Sequence, residues 1–284
     1  MAETEVCSAT LCMLLEPSHK QFYGGMKMNV IALGVLGSLA AGLMTAFGAL
    51  PILIGKTVSR RLNDILLGFA AGVMLSASYF SLIIPGLEIS TEQYGAGAVP
   101  ALIAVGGIIL GAAAIYFLDE RIPHQHFTKG LEGPEAASVR KIWLFVIAIT
   151  LHNIPEGLAV GVGFGGGDMG AAISLAFGIG LQNAPEGLAV ALALQSEGYG
   201  KTYAFLVAAA TGLVEPVAGL AGVVAVSASQ LLLPWGLTFA AGAMLYVISN
   251  EIIPETHRHG HHKGATAGLI VGVVVMMFLD VVFG

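Results

Sequence analysis

The chain is 284 residues long, 56% hydrophobic and only 11% charged, with a formal net charge of −6. A soluble domain carries roughly 25% charged residues, so this composition cannot coat a water-facing globule, and a mean hydropathy of +0.84 agrees. A soluble enzyme, a nucleic-acid-binding protein and a disordered chain are excluded on these grounds, which leaves an all-α polytopic membrane protein.

Residues 1–28 are too polar to span a membrane. They contain Glu3, Glu5 and Glu16 without a basic n-region, which argues against a cleaved signal peptide. Cys7 and Cys12 both fall here, and a bridge between them would constrain little. A spanning helix needs roughly 20 apolar residues. Eight stretches qualify, near 29–55, 62–86, 98–118, 142–164, 170–195, 201–227, 231–253 and 264–283. Backbone polar groups in lipid must pair internally, so these are predicted helices. The alternating segments of an outer-membrane barrel are absent.

Eight spans place both termini on one side. The opposite side receives Lys56, Arg60, Arg61, Arg121, Lys129, Arg140, Lys141, Lys201, Arg258 and Lys263, whereas the terminal side receives Lys20 and Lys27. Ten basic residues against two is a strong positive-inside bias, so both termini are expected outside a cell membrane. The loop 119–141 is then cytoplasmic and carries His124 and His126. A second cytoplasmic loop, 255–263, carries His257, His259, His261 and His262. These histidines read either as weak metal ligands or as solvated turns.

Ionisable groups deep in a membrane are costly and mark pathways. Span four reads His152-Asn153-Ile154-Pro155-Glu156-Gly157, and span five reads Gln182-Asn183-Ala184-Pro185-Glu186-Gly187. Offset by 30 residues, 152–162 and 182–192 agree at seven of eleven positions. Span six adds Glu215 before Pro216, and span seven ends with Glu251, Pro254 and Glu255. Helical neighbours at i and i+4 share a face, so His152 projects with Glu156 and Gln182 with Glu186. Pro155 and Pro185 free the carbonyls of Leu151 and Leu181 and bend both helices. One imidazole with several carboxylates and amide oxygens suits a divalent transition metal. Imidazole argues against a pure calcium or magnesium cage. A dication offsets the repulsion among Glu156, Glu186 and Glu215, and two dications could share Glu156 and Glu186. Met74, taken alone, reads as a core methionine, with a soft sulfur ligand as the alternative.

On these residues the chain resembles the ZIP (Zrt/Irt-like) family of divalent metal transporters, most closely its prokaryotic GufA-type branch. The resemblance rests on His-Asn-x-Pro-Glu-Gly, Gln-Asn-x-Pro-Glu-Gly and Glu215-Pro216, and runs from about Asn29 to the C-terminus. It implies spans one to three related to six to eight by an inverted repeat around spans four and five. Residues 29–284 would form one transport domain behind an extracellular segment 1–28. It implies a binuclear intramembrane centre. One site would use Met74, His152, Glu156, Gln182 and Glu186, and its neighbour Asn153, Glu156, Asn183, Glu186 and Glu215. Some relatives carry aspartate where this chain has Asn183, and an amide is a neutral, weaker ligand. Glu88 and Asp280 become entrance candidates. Asp119, His124, His126, Glu251 and Glu255 become exit candidates. The resemblance further implies a homodimer that moves Zn²⁺ into the cytoplasm by alternating access, with Cd²⁺ and other divalent metals as further cargo. Its rivals are an intramembrane metal-dependent hydrolase, although His-Glu-x-x-His is absent, a cation channel, and a metal sensor.

Overall fold

A computed structural model describes residues 29–55, 58–121, 124–126, 130–132, 141–257 and 260–283. The N-terminal segment 1–28, Arg258 and His259 lie outside the described residues. Within them run eight helical spans: α1 (Val30–Ile52), α2 (Arg60–Tyr94) and α3 (Ala98–Arg121), then α4 (Lys141–Gly166) and α5 (Met169–Ser196), then α6 (Lys201–Ala228), α7 (Gln230–Thr256) and α8 (His262–Phe283). Seven contain stretches long and apolar enough to cross a membrane. The eighth, α5, has 28 residues but carries Gln182, Asn183 and Glu186 at its middle, which lowers its hydropathy. The fold is the expected all-α polytopic bundle. Side chains such as Leu102, Val217 and Val281 face outward, as a lipid-facing surface requires. Helix starts follow local chemistry: the Asn29, Ser59 and Asp168 side chains accept the Ile31, Leu62 and Ala171 amides.

Three boundaries differ from the sequence reading. The second span was expected to end near residue 86, yet α2 continues to Tyr94. A π-helical turn, Ala77–Ile83, precedes Pro85 and places that proline in the first turn of a new α segment, Ile84–Tyr94. There its missing N–H costs no helical bond. The sixth span was expected over 201–227, and within it α6 breaks between Gly212 and Glu215, with Pro216 opening its second half. The loop expected at 119–141 starts later, because α3 runs to Arg121. Beyond it β1 (His124–His126) and β2 (Gly130–Glu132) form a small antiparallel hairpin.

The helices pack as two groups. Helices α1, α4, α5 and α6 pack on one another, as do the pairs α2 with α8 and α3 with α7, while α2 also meets α7. The groups meet where α5 touches α2 and α8 and where α4 touches α7. An internal repeat underlies this arrangement. Phe69-Ala70-Ala71-Gly72-Val73-Met74-Leu75 returns 170 residues later as Phe239-Ala240-Ala241-Gly242-Ala243-Met244-Leu245, matching at six of seven positions. Phe117-Leu118-Asp119 returns as Phe278-Leu279-Asp280. The contacts repeat as well: Gly272 lies against the Phe69 carbonyl as Gly111 lies against that of Phe239, and Gly72 against Leu269 as Gly242 against Ile108. Each copy then passes through a π turn, Ala77–Ile83 or Ile248–Ile252. Spans two and seven have opposite parity and run in opposite directions, so the repeat is inverted.

Candidate metal site

The polar residues singled out on spans four, five and six converge in the interior. Helix α4 supplies His152, Asn153 and Glu156, α5 supplies Gln182, Asn183 and Glu186, and the second half of α6 begins with Glu215. None of the seven is more than 2% exposed. Both Pro155 and Pro185 lie inside continuous helices, so the kinked motifs pass through the bundle side by side.

The glycines ending the two motifs explain how the helices come so close. A Cβ on Gly157 would strike the Glu215 backbone, and one on Gly187 would strike the Thr45 backbone. Close approach of backbones at small residues is the packing that transmembrane helices favour. Here it brings α4 onto the α6 break and α5 onto α1.

Side-chain amides orient the carboxylates. Gln182 Nε2 donates to Glu156 Oε1 at 2.6 Å. Asn183 Nδ2 donates to Glu215 Oε1 at 2.7 Å and to the Ala41 carbonyl at 2.9 Å. Asn153 Nδ2 donates to the Thr211 carbonyl at 2.8 Å. The donors are thus consumed and the lone pairs left over. His152 Nδ1, Asn153 Oδ1, Glu156 Oε2, Gln182 Oε1, Asn183 Oδ1, both Glu186 oxygens and Glu215 Oε2 are buried with no hydrogen-bond partner. They make up eight of the twelve such atoms among the described residues. Buried polar atoms are ordinarily satisfied, so this concentration of unmet electron-pair donors marks a place built for a cation. The charges point the same way: Glu156 feels both Glu186 and Glu215, and Glu215 feels Glu186. Three carboxyls in a low-dielectric interior repel one another strongly.

Among the described residues no three His, Cys, Asp or Glu side chains already stand in coordinating geometry. The amides of Gln182 and Asn183 each engage one oxygen of Glu156 and Glu215, and His152 Nε2 pairs with Glu251 Oε2. Glu251 was read only as an exit acid, yet the π turn Ile248–Ile252 of α7 aims it at His152. Asp119 is buried at 3% exposure, has Asn250 Nδ2 at 3.5 Å, and acts electrostatically on His152. His152 therefore sits where the central carboxylates meet the pair Glu251 and Asp119. The repeat of Asp119 in Asp280, and of Ser81 in Glu251 at the same 170-residue spacing, is the sequence signal that could have exposed these stations.

The remaining candidates fall elsewhere. Asp280 is half-buried between groups, accepting Ser81 Oγ at 2.8 Å and Ser174 Oγ at 3.2 Å. Glu88 is exposed on α2 and joins none of these residues. Glu255 is half-buried near the end of α7. His124 and His126 end strand β1, and their side chains lie outside the described part. Met74 is fully buried in the apolar cluster with Met244, Leu175 and Ile179.

Comparison with known proteins settles the kinship. A family model described as ZIP Zinc transporter matches residues 128–280. The zinc transporter ZIPB of Bordetella bronchiseptica is 48% identical over 254 residues, covering 89% of this chain and 82% of its own. This chain belongs to the ZIP family. The zinc transporter GufA of Myxococcus xanthus is 46% identical over 251 residues, covering 88% of this chain and 99% of its own. The human zinc transporter ZIP11 is 37% identical over 331 residues, covering 88% and 97%. The kinship read from the two six-residue motifs and Glu215-Pro216 thus extends over most of this ZIP chain.

Proposed function

We propose that this ZIP protein carries Zn²⁺ across a cell membrane into the cytoplasm, binding it between α4, α5 and α6 and releasing it by alternating access. The observation that carries this reading is the set of eight unpartnered donor atoms on seven buried residues of those helices. Imidazole, carboxylate and amide oxygen together suit zinc better than calcium or magnesium, and Cd²⁺ is a second cargo of the same ligand chemistry. One subsite comprises Met74, His152, Glu156, Gln182 and Glu186, and the other Asn153, Glu156, Asn183, Glu186 and Glu215. Residues 29–284 act as one transport domain, as a homodimer in the plasma or inner cell membrane, with segment 1–28 and both termini outside. The group α1, α4, α5 and α6 moves against the other four helices. Asp280 and Glu88 receive the ion at the outer side. Asp119 and Glu251, with Glu255, His124 and His126 beyond, take it at the inner side.

The pairing of His152 with Glu251 supports a release step in which the imidazole leaves the central carboxylates. Glu251→Gln is expected to lower maximal zinc uptake several-fold while leaving the half-saturating zinc concentration within about two-fold, because binding precedes this hand-over. Concentration series of uptake by both proteins measure the split. Acid should compete with the metal, since its ligands bind zinc only when deprotonated. Uptake at pH 5.5 on both sides of the membrane is expected to fall well below uptake at pH 7.5. A rate that does not fall with acid would speak against this ligand set.

The direct test is zinc uptake into proteoliposomes by the wild type, His152→Ala and Glu186→Ala. Saturable uptake by the wild type alone is expected. Equal uptake by all three would overturn the site assignment. Cleavage of added peptide or lipid without zinc flux would favour the hydrolase, and non-saturating conductance of monovalent cations the channel.

A further inference from the structure

Thr45, on α1, is 1% exposed, and its hydroxyl has no hydrogen-bond partner. Among the described residues only one other buried hydroxyl, Ser76 Oγ, shares this state. Ser38, Ser78, Thr150, Thr238 and Ser249 each donate to the carbonyl four residues back, the ordinary resting place for such a group. For Thr45 that carbonyl belongs to Ala41, and it already accepts Asn183 Nδ2 at 2.9 Å. The same Nδ2 donates to Glu215 Oε1 at 2.7 Å. Asn183 thus seats Glu215 and occupies the carbonyl on which Thr45 would ordinarily rest.

The position of the freed hydroxyl is set by the crossing of α1 and α6. Gly42 and Gly212 meet there backbone to backbone. A Cβ on Gly212 would lie 2.9 Å from Thr45 Oγ1, and one on Gly42 would lie 3.3 Å from Glu215 Oε1. Thr45 and Glu215 therefore flank one crossing, each three residues beyond its glycine. On the third side Gly187, next to Glu186, rests on the Thr45 backbone. Around this point Asn153 Oδ1, Asn183 Oδ1 and Glu215 Oε2 are also without partners.

We infer that Thr45 belongs to the subsite of Asn153, Asn183 and Glu215, its hydroxyl supplying that subsite with a further neutral oxygen ligand for a divalent cation. The inference rests on the reading of these residues as a zinc site. It also accounts for an amide serving at position 183. Asn183 brings no charge, but its Nδ2, which an aspartate lacks, holds the Ala41 carbonyl and leaves the hydroxyl to the metal.

The test is Zn²⁺ binding to the purified full-length protein in detergent, read by calorimetry, with unfolding temperature measured in the absence of metal. Glu215→Gln identifies the binding step that belongs to this subsite. Thr45→Val, which keeps the shape and removes the hydroxyl, is expected to weaken that same step by about ten-fold, the lower range for a group supporting a metal. It should leave the metal-free unfolding temperature unchanged or raised, because an unsatisfied polar atom has been removed. Thr45→Ser should restore binding. In an Asn183→Asp background, where the Ala41 carbonyl is released to the hydroxyl, Thr45→Val should cost less than in the wild type. Wild-type binding by Thr45→Val would overturn the role of Thr45 and leave the zinc site standing. So would a fall in unfolding temperature with no rescue by serine, which marks a packing role. Absence of zinc binding by the wild type, or its full retention in a His152→Ala/Glu186→Ala protein, would overturn the underlying site and Thr45 with it.

Discussion

Replacing Glu186 by alanine is expected to reduce zinc uptake by at least about 100-fold while leaving the metal-free protein as stable as the wild type or more so. Supporting groups around metals are worth about 10- to 100-fold, and Glu186 is placed to do more than support. Both its carboxylate oxygens are buried without a partner. It interacts with His152 on one side and with Glu156 and Glu215 on the other, so it can bridge both subsites. A residue kept for stability would be hydrogen-bonded. Removing one that is not relieves charge repulsion and desolvation in the metal-free protein. The opposite signs on transport and stability separate a ligand from a structural carboxylate. Uptake into proteoliposomes and thermal unfolding in detergent measure the two.

A methyl group at Gly157 or Gly187 is expected to do the reverse and damage both properties together. The Gly157 Cβ would meet the backbone of Glu215, and the Gly187 Cβ that of Thr45. Neither neighbour is a flexible side-chain tip that could swing away. Overpacking of this kind costs about 1–3 kcal/mol, and the strain falls on the residues that position the carboxylates. Gly157→Ala is expected to displace Glu215, lowering the unfolding temperature and abolishing most uptake. Gly187→Ala should act likewise through α1. Gly200→Ala is the control, because nothing lies within 4 Å of its Cβ and its φ of −64 is ordinary; it should leave uptake near wild type and lower the unfolding temperature only slightly, through the poorer N-cap.

The order in which these features could be read follows from sequence distance. Pairing His152 with Glu156 and Gln182 with Glu186 needs only helical periodicity, so their shared interior position was evident from the chain. The eight crossings followed from apolar length, even for α5, whose polar centre lowers its hydropathy. The contact between His152 and Glu251 spans 99 residues and depends on a π turn that no periodicity announces. The extension of α2 past Pro85 has the same origin, because a π turn lets the chain absorb a proline that would otherwise end the helix. The break in α6 was signalled only by Glu215-Pro216, which in a regular helix start would look no different. Thr45 is a separate case. Its role depends on which acceptor Asn183 occupies on another helix, and neither residue alone announces that bond. The repeat between Phe69–Leu75 and Phe239–Leu245 was present in the letters throughout. What the letters do not show is that the two segments, 170 residues apart, cross the bundle in opposite directions.

The most direct measurement is anomalous X-ray diffraction at the zinc edge from crystals of the full-length protein grown with Zn²⁺. Anomalous density is expected between α4 and α5, with Glu186 in contact, His152 turned from Glu251 toward it, and any second peak beside Glu215. Zinc density confined to the surface histidines, with His152 and Glu186 touching no metal, would contradict it.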